Sequence, residues 1–223
     1  MESPRNGQVP RPVLLSSIVH AVILPATLLL VPGTAPGLRT DPLGDVRAAV
    51  AAALARLTEG GRIPLVLAHG PALRHGRMRP SLAGSGIGDR WLPDPPPGAG
   101  RRAGAAWSWT DEIRQVAGTG ASVALLALAD VLGDRVAEVE VLEVPPSWPG
   151  PVAGPDPLLR DAAGLVVAGG GVPGGLDSDP GALTDGVRAA LRAAGADAWT
   201  SQVQAFAQSH DHLPLEYRVT TLA

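Results

Sequence analysis

Five histidines, His20, His69, His75, His210 and His212, are the side chains best suited to acid–base or metal chemistry in this chain. His69 follows an apolar run, IPLVLA (63–68), and so falls at the carboxyl end of an expected strand, where α/β sheets place their ligands. His210 and His212 stand two apart and point the same way if their segment is extended, with Asp211 and Glu216 close by. Two imidazoles and a carboxylate facing one opening suit a non-haem Fe(II) centre. The competing reading is that these are loop histidines touching water.

Other chemistry is narrower. Gly169, Gly171 and Gly174 have the G-x-G-x-x-G spacing of a dinucleotide loop, but Pro173 interrupts it and the next helix is expected only at 180. A turn in a chain with 28 glycines accounts for it as well. Asp177 and Asp179 sit where capping alone places carboxylates. Ser85 lies in a G-S-G loop without strand–turn–helix context, and no G-x-S-x-G occurs. Trp107 and Trp109 share one face of an extended segment, as core anchors or as a lid. The absence of cysteine excludes disulfides, zinc ribbons and thiol nucleophiles, and all 18 basic residues are Arg, which excludes P-loop and Schiff-base lysines. A net charge of −3 without any basic run argues against nucleic acid as the main partner. Aromatics at 3% leave few stacking platforms.

These groups need a scaffold, and 223 residues with 45% hydrophobic content suffice for one domain with a full core. Residues 1–12 are polar and proline-rich and are expected as a disordered tail. VLLSSIVHAVILPATLLLVP (13–32) is read as a pair of buried strands or one long bent strand, with an exported or membrane-anchored segment as the alternative. Asp41 and Pro42 open a helix carrying Val46, Val50, Leu54 and Leu57, which ends at Gly60-Gly61. Residues 69–106 are mostly loop. A short helix capped by Ser108 or Thr110 is expected to turn Ile113 and Val116 inward. SVALLALA (122–129) and AGLVVAGG (163–170) read as strands covered on both faces, and VAEVEVLEV (136–144) as a half-exposed or edge strand. A helix capped by Asp179 presents Leu183, Val187 and Leu191, and another is expected around 197–208. LEYRVTTL (215–222) closes the chain as a strand. The pattern predicts an α/β fold: a single layered domain over 13–223 with a mixed, largely parallel sheet flanked by helices.

Several fragments, in order, resemble one family: LPATLLLVPG (24–33), DVRAAVAAALARL (45–57), LVLAHGP (65–71), RPSLAGSGI (79–87), WTSQVQAF (199–206) and DHLPLEYRVTTL (211–222). They are similar to the class III extradiol dioxygenase subunit-B-like proteins, related to the catalytic subunit of protocatechuate 4,5-dioxygenase. The resemblance spans both ends of the chain and is patchy through 88–198. It implies an α/β fold and an iron site. Set against the family's opening PHPPLLVP, the residues here are PATLLLVP, so the position of an expected histidine ligand carries Ala26. His69 falls close to the family's second ligand, and Glu216 is the candidate for its late carboxylate.

The resulting expectation is a divergent extradiol-dioxygenase-like protein that lacks the standard iron site. It binds a small ligand, or catalyses a metal-free reaction, in the ancestral cleft, with His69 and His212 as catalytic candidates and no cofactor. The alternative is an active Fe(II)-dependent enzyme whose metal is held by His20, His69, His212 and Glu216. A third reading is a non-catalytic partner protein, pairing through the strand at 136–144 or through its proline-rich loops. A homo- or hetero-oligomer, no nucleic-acid or membrane partner, and a cytoplasmic location complete the expectation.

Overall fold

The computed structural model describes residues 18–34, 41–89, 92, 113, 115–151, 157–170, 181–211 and 213–223. The expectations made for 1–12, for Trp107, Ser108, Trp109 and Thr110, for Gly171, Gly174, Asp177 and Asp179, and for His212 lie outside the described residues.

Seven strands form one sheet: β1 (Ala21–Leu24), β2 (Leu65–His69), β3 (Arg74–Gly76), β4 (Val141–Val144), β5 (Leu165–Ala168), β6 (Ser201–Ala207) and β7 (Glu216–Leu222). Their order is β3-β4-β2-β5-β1-β7-β6. The four central strands β4, β2, β5 and β1 run parallel, while β3 at one edge and β7-β6 at the other are antiparallel additions. Pleating sends alternate residues to opposite faces. Val22, Leu24, Val66, Ala68, Val141 and Val166 join one apolar cluster with α1 (Gly44–Leu57) and α2 (Thr119–Leu132). Ala21, Leu65, Leu67, Leu142, Val144 and Leu165 join a second cluster with α3 (Pro157–Arg160) and α4 (Asp185–Ala193). Helices on both faces explain why the central strands are continuous apolar runs rather than alternating ones. The result is the expected single layered α/β domain with a mixed sheet, parallel at its core.

Of the described part of the greasy opening segment only Ala21–Leu24 is strand; Leu28–Leu30 form a 3-10 turn, so the segment supplies one short strand of this sheet rather than a strand pair or a long bent strand. β1 pairs with β5 on one side and β7 on the other, and Ala21, Val22 and Leu24 are wholly buried. Among the described residues no helix is long and apolar enough to cross a membrane.

Four expectations are corrected. SVALLALA is the middle of α2, not a strand; eight of that helix's residues are buried, and a helix buried on nearly every side has the same apolar run as a covered strand. Its Ala and Leu content favours the helix. The segment 136–144 is not an edge strand: β4 covers only its last four residues, all buried, and β3 pairs outside it. Residues 201–207 form strand β6 rather than helix, because their backbone completes a ladder with β7 that runs unbroken from Ser201↔Leu222 to Ala207↔Glu216. Val116 makes a bridge to Arg79 instead of lying in a helix.

Helix starts also shift. α1 begins at Gly44, and Asp41 Oδ1 accepts from the Leu43 amide at 3.1 Å in the turn before it. α4 begins at Asp185, where Thr184 Oγ1 accepts the Val187 amide at 3.3 Å.

Candidate functional site

The parallel strands deliver their carboxyl ends to one rim of the sheet: Leu24 of β1, Ala168 of β5, His69 of β2 and Val144 of β4. This is where an α/β sheet presents ligands to its loops. The first turn of α2 sits over that rim. A Cβ placed on Gly120 would lie 3.6 Å from the Ala26 methyl and 3.5 Å from that of Ala168. Ala26 itself is wholly buried there.

Glu143, on the α2 face of β4, is also wholly buried. Its carboxylate accepts from Arg74 Nε at 2.9 Å, from Arg74 Nη2, and from the Gly118 amide at 2.6 Å. A buried carboxylate needs such partners, because desolvation without them costs several kcal/mol, roughly. Gly70 lacks a side chain for a reason: a Cβ there would lie 2.8 Å from Glu143 Cβ. Arg74 Nη1 also donates to the Val116 carbonyl at 3.3 Å, so one guanidinium joins β3, β4 and the approach to α2.

The segment 79–87 packs against the same helical turn. The Ser81 amide donates to Ser122 Oγ at 3.0 Å, Ser81 Oγ donates to Asp89 at 2.7 Å, and Ser85 Oγ lies 2.9 Å from Thr119 Oγ1.

His69 stands at the end of β2, where the pleat sends it to the opposite face from Ala68 and Glu143. Its ring is half-buried, and Nδ1 is shut off from solvent without a hydrogen-bond partner among the described residues. Buried polar atoms are nearly always paired, so an orphan at the strand-end rim is a group whose bond a water or a bound molecule can supply.

The other described candidates do not gather round it. His20 immediately precedes β1, at the opposite end of the sheet; the register puts it five residues along the strand direction from the level of His69, about 16 Å away on that axis alone. There its ring stacks on Trp199, with centroids 5.1 Å apart and planes inclined by 13°. Glu216 opens β7, three strand spacings from β2, about 14 Å across the sheet, and its carboxylate pairs with Arg218. His75 Nε2 lies 3.1 Å from Glu140 Oε2 on the outer edge, and His210 is exposed in the β6–β7 connection. Among the described residues no group of three or more His, Asp or Glu is set to hold a metal ion. The described residues therefore do not fit the iron site that the resemblance implies: the position it expects for one ligand carries Ala26, and neither His20 nor Glu216 approaches His69.

A separate open depression of about 430 Å³ lies at the amino end of the sheet, its lining including Ile63, Pro64, Leu65 and three acidic residues, Glu138, Glu140 and Asp161. Two of these carboxylates are already engaged. Glu140 pairs with His75, and a hydrogen bond from Arg135 holds the Glu138 carboxyl below its ordinary range.

The sequence reading passed over Glu143 and Arg74. The available signal was a single acid inside the apolar strand VLEV, which on both-face burial must meet a cation.

Fold and site thus define the class: a layered α/β protein whose parallel strands end in one rim, with His69 on one face of the sheet and, on the other, α2 and the buried Glu143 that holds the Gly118 amide before it. No family model, curated protein or solved structure matches the chain.

Proposed function

We propose that this chain is a divergent relative of the class III extradiol dioxygenase subunit-B-like proteins that binds a small polar molecule at the carboxyl rim of its sheet, through His69 and without the iron site of that group. The observation that carries the reading is the buried, unpartnered Nδ1 of His69 at the strand end. Its position suits a ligand oxygen or N–H, since imidazole can donate or accept according to its tautomer. A metal-free reaction at the same place would use His69 as acid or base.

The resemblance is supported by where its fragments meet. LPATLLLVPG leaves β1 at the rim, LVLAHGP ends β2 there, and RPSLAGSGI packs on the first turn of α2. Three fragments distant in sequence thus meet at one end of the fold. Ala26, buried under Gly120, supports loss of the iron ligand, because a methyl group offers no lone pair.

The test is calorimetric titration of the untagged chain with catechol and substituted ortho-dihydroxybenzenes, alongside elemental analysis for iron. Saturable one-to-one binding that His69→Ala abolishes and His20→Ala leaves intact is the expected result. Stoichiometric iron that disappears in His69→Ala would overturn the metal-free reading, and binding insensitive to His69 would overturn the site.

A further inference from the structure

The two edges of the sheet are protected very differently. β3 is three residues long, carries Arg74 and His75, and is followed by Arg77. Short, charged edges resist pairing with other chains. β6 has none of these devices: its seven residues, SQVQAFA, include no charge, no proline and no bulge, and all but Phe206 are exposed.

The hydrogen-bond parity of this edge can be read directly. Thr200 and Ala223 exchange both backbone bonds, at 2.7 and 3.0 Å, and the Gln208 amide donates to the Leu215 carbonyl at 2.8 Å. Narrow pairs alternate along an antiparallel ladder, so Gln202, Gln204 and Phe206 spend their backbone groups on β7. Ser201, Val203, Ala205 and Ala207 therefore turn their N–H and C=O groups outward, where no described residue bonds them.

We infer that β6 is a self-pairing edge, and that two copies of this chain join antiparallel through it about a two-fold axis at Gln204. In that register Ser201 pairs with Ala207 of the second copy and Val203 with its Ala205, so every outward N–H and C=O of the strand finds a partner. A shift of register leaves some of them unpaired. The side chains agree with it. Val203, 52% exposed in the single chain, meets Ala205 of the second copy and forms a small apolar patch across the axis. On the other face the two Gln204 amides meet and can bond each other. Two uncharged strands approach without the repulsion that like charges impose on directly opposed residues. Such an isologous contact closes on itself as a dimer, joining two sheets into one.

Sedimentation velocity of the full chain over a concentration series reads the dimer. Val203→Pro tests its geometry, because the Val203 amide points away from β7 and its loss spares the intramolecular ladder. Two outward bonds vanish per dimer, so association weakens about thirtyfold while far-UV circular dichroism stays as in the parent chain. A second measurement stands apart from any folding defect. The chain has no cysteine, so Gln204→Cys places a lone thiol on the axis, in a wide pair of about 4.5 Å between Cα atoms, and mild oxidation links the copies. Gln202→Cys stays unlinked, since its two thiols lie about 13 Å apart along the strands. A monomer at every concentration overturns the inference. So does a dimer unmoved by Val203→Pro that links equally at 202 and 204.

Discussion

Arg74 and Glu143 form an ion pair that ties the three-residue strand β3 to the centre of the fold. The guanidinium donates through Nε at 2.9 Å and through Nη2, while the far oxygen of the same carboxylate takes the Gly118 amide that precedes α2. One acid thereby fixes an edge strand, a central strand and the start of the helix over the rim.

Breaking that pair from the cationic side leaves a charge stranded in the core. Arg74→Met is expected to lower unfolding free energy by about 2–3 kcal/mol, somewhat less than for a fully buried pair because Arg74 is 35% exposed. The double variant Arg74→Met/Glu143→Met should recover most of this loss, since two apolar side chains carry no desolvation penalty. Urea unfolding of the four proteins in the cycle measures it; a double variant as unstable as the single one contradicts the account.

His69→Leu gives the opposite sign. Nδ1 has no hydrogen-bond partner among the described residues, so an apolar side chain removes a desolvated atom without breaking a hydrogen bond at that position. Thermal unfolding should rise, by a stability gain of about 1 kcal/mol. Gained stability together with lost ligand binding is the mark of a group kept for function. A clear loss of stability would mean that Nδ1 is satisfied in solution and that the site reading lacks its basis.

Asp130 supplies a pH-dependent test. It lies in the last turn of α2, exposed in area yet crowded enough that desolvation raises its carboxyl above the ordinary range. A carboxyl with a raised native value favours folding while protonated; that contribution is complete below the unfolded value and disappears as pH climbs through the native one. The ionised group also opposes the helix dipole at that end. Asp130→Asn should therefore stabilise by about 0.5 kcal/mol at neutral pH, a small figure because solvent screens the group. The gain should vanish below about pH 4. Chemical unfolding at both pH values decides, and a gain that persists in acid removes the titration as its cause.

Legibility in the sequence followed burial symmetry. β2 and β5, sandwiched between helices, appear as short apolar runs flanked by turn residues, and α1 appears through Val46, Val50, Leu54 and Leu57 at helical spacing. α2 did not, because a helix enclosed on nearly all sides loses the polar stripe that distinguishes it. β6 failed for a related reason. Trp199, Val203 and Phe206 fall at helical spacing, yet only Phe206 of the strand is turned toward the main core; its pairing with β7 determines its form.

At the site, the chain's residue types established that no thiol or lysine chemistry is available and that His69 ends a buried strand. Spacing could not reveal which histidines share a rim, because His20 and His69 terminate parallel strands at opposite ends and only strand direction and register separate them. The same register brought Arg74 to Glu143 across 69 positions of chain and left the amides of Val203 and Ala205 facing outward. Local pattern sets which segments must be buried; which polar groups meet once they are buried is a property of pairing between distant strands, and that exists only in the folded sheet.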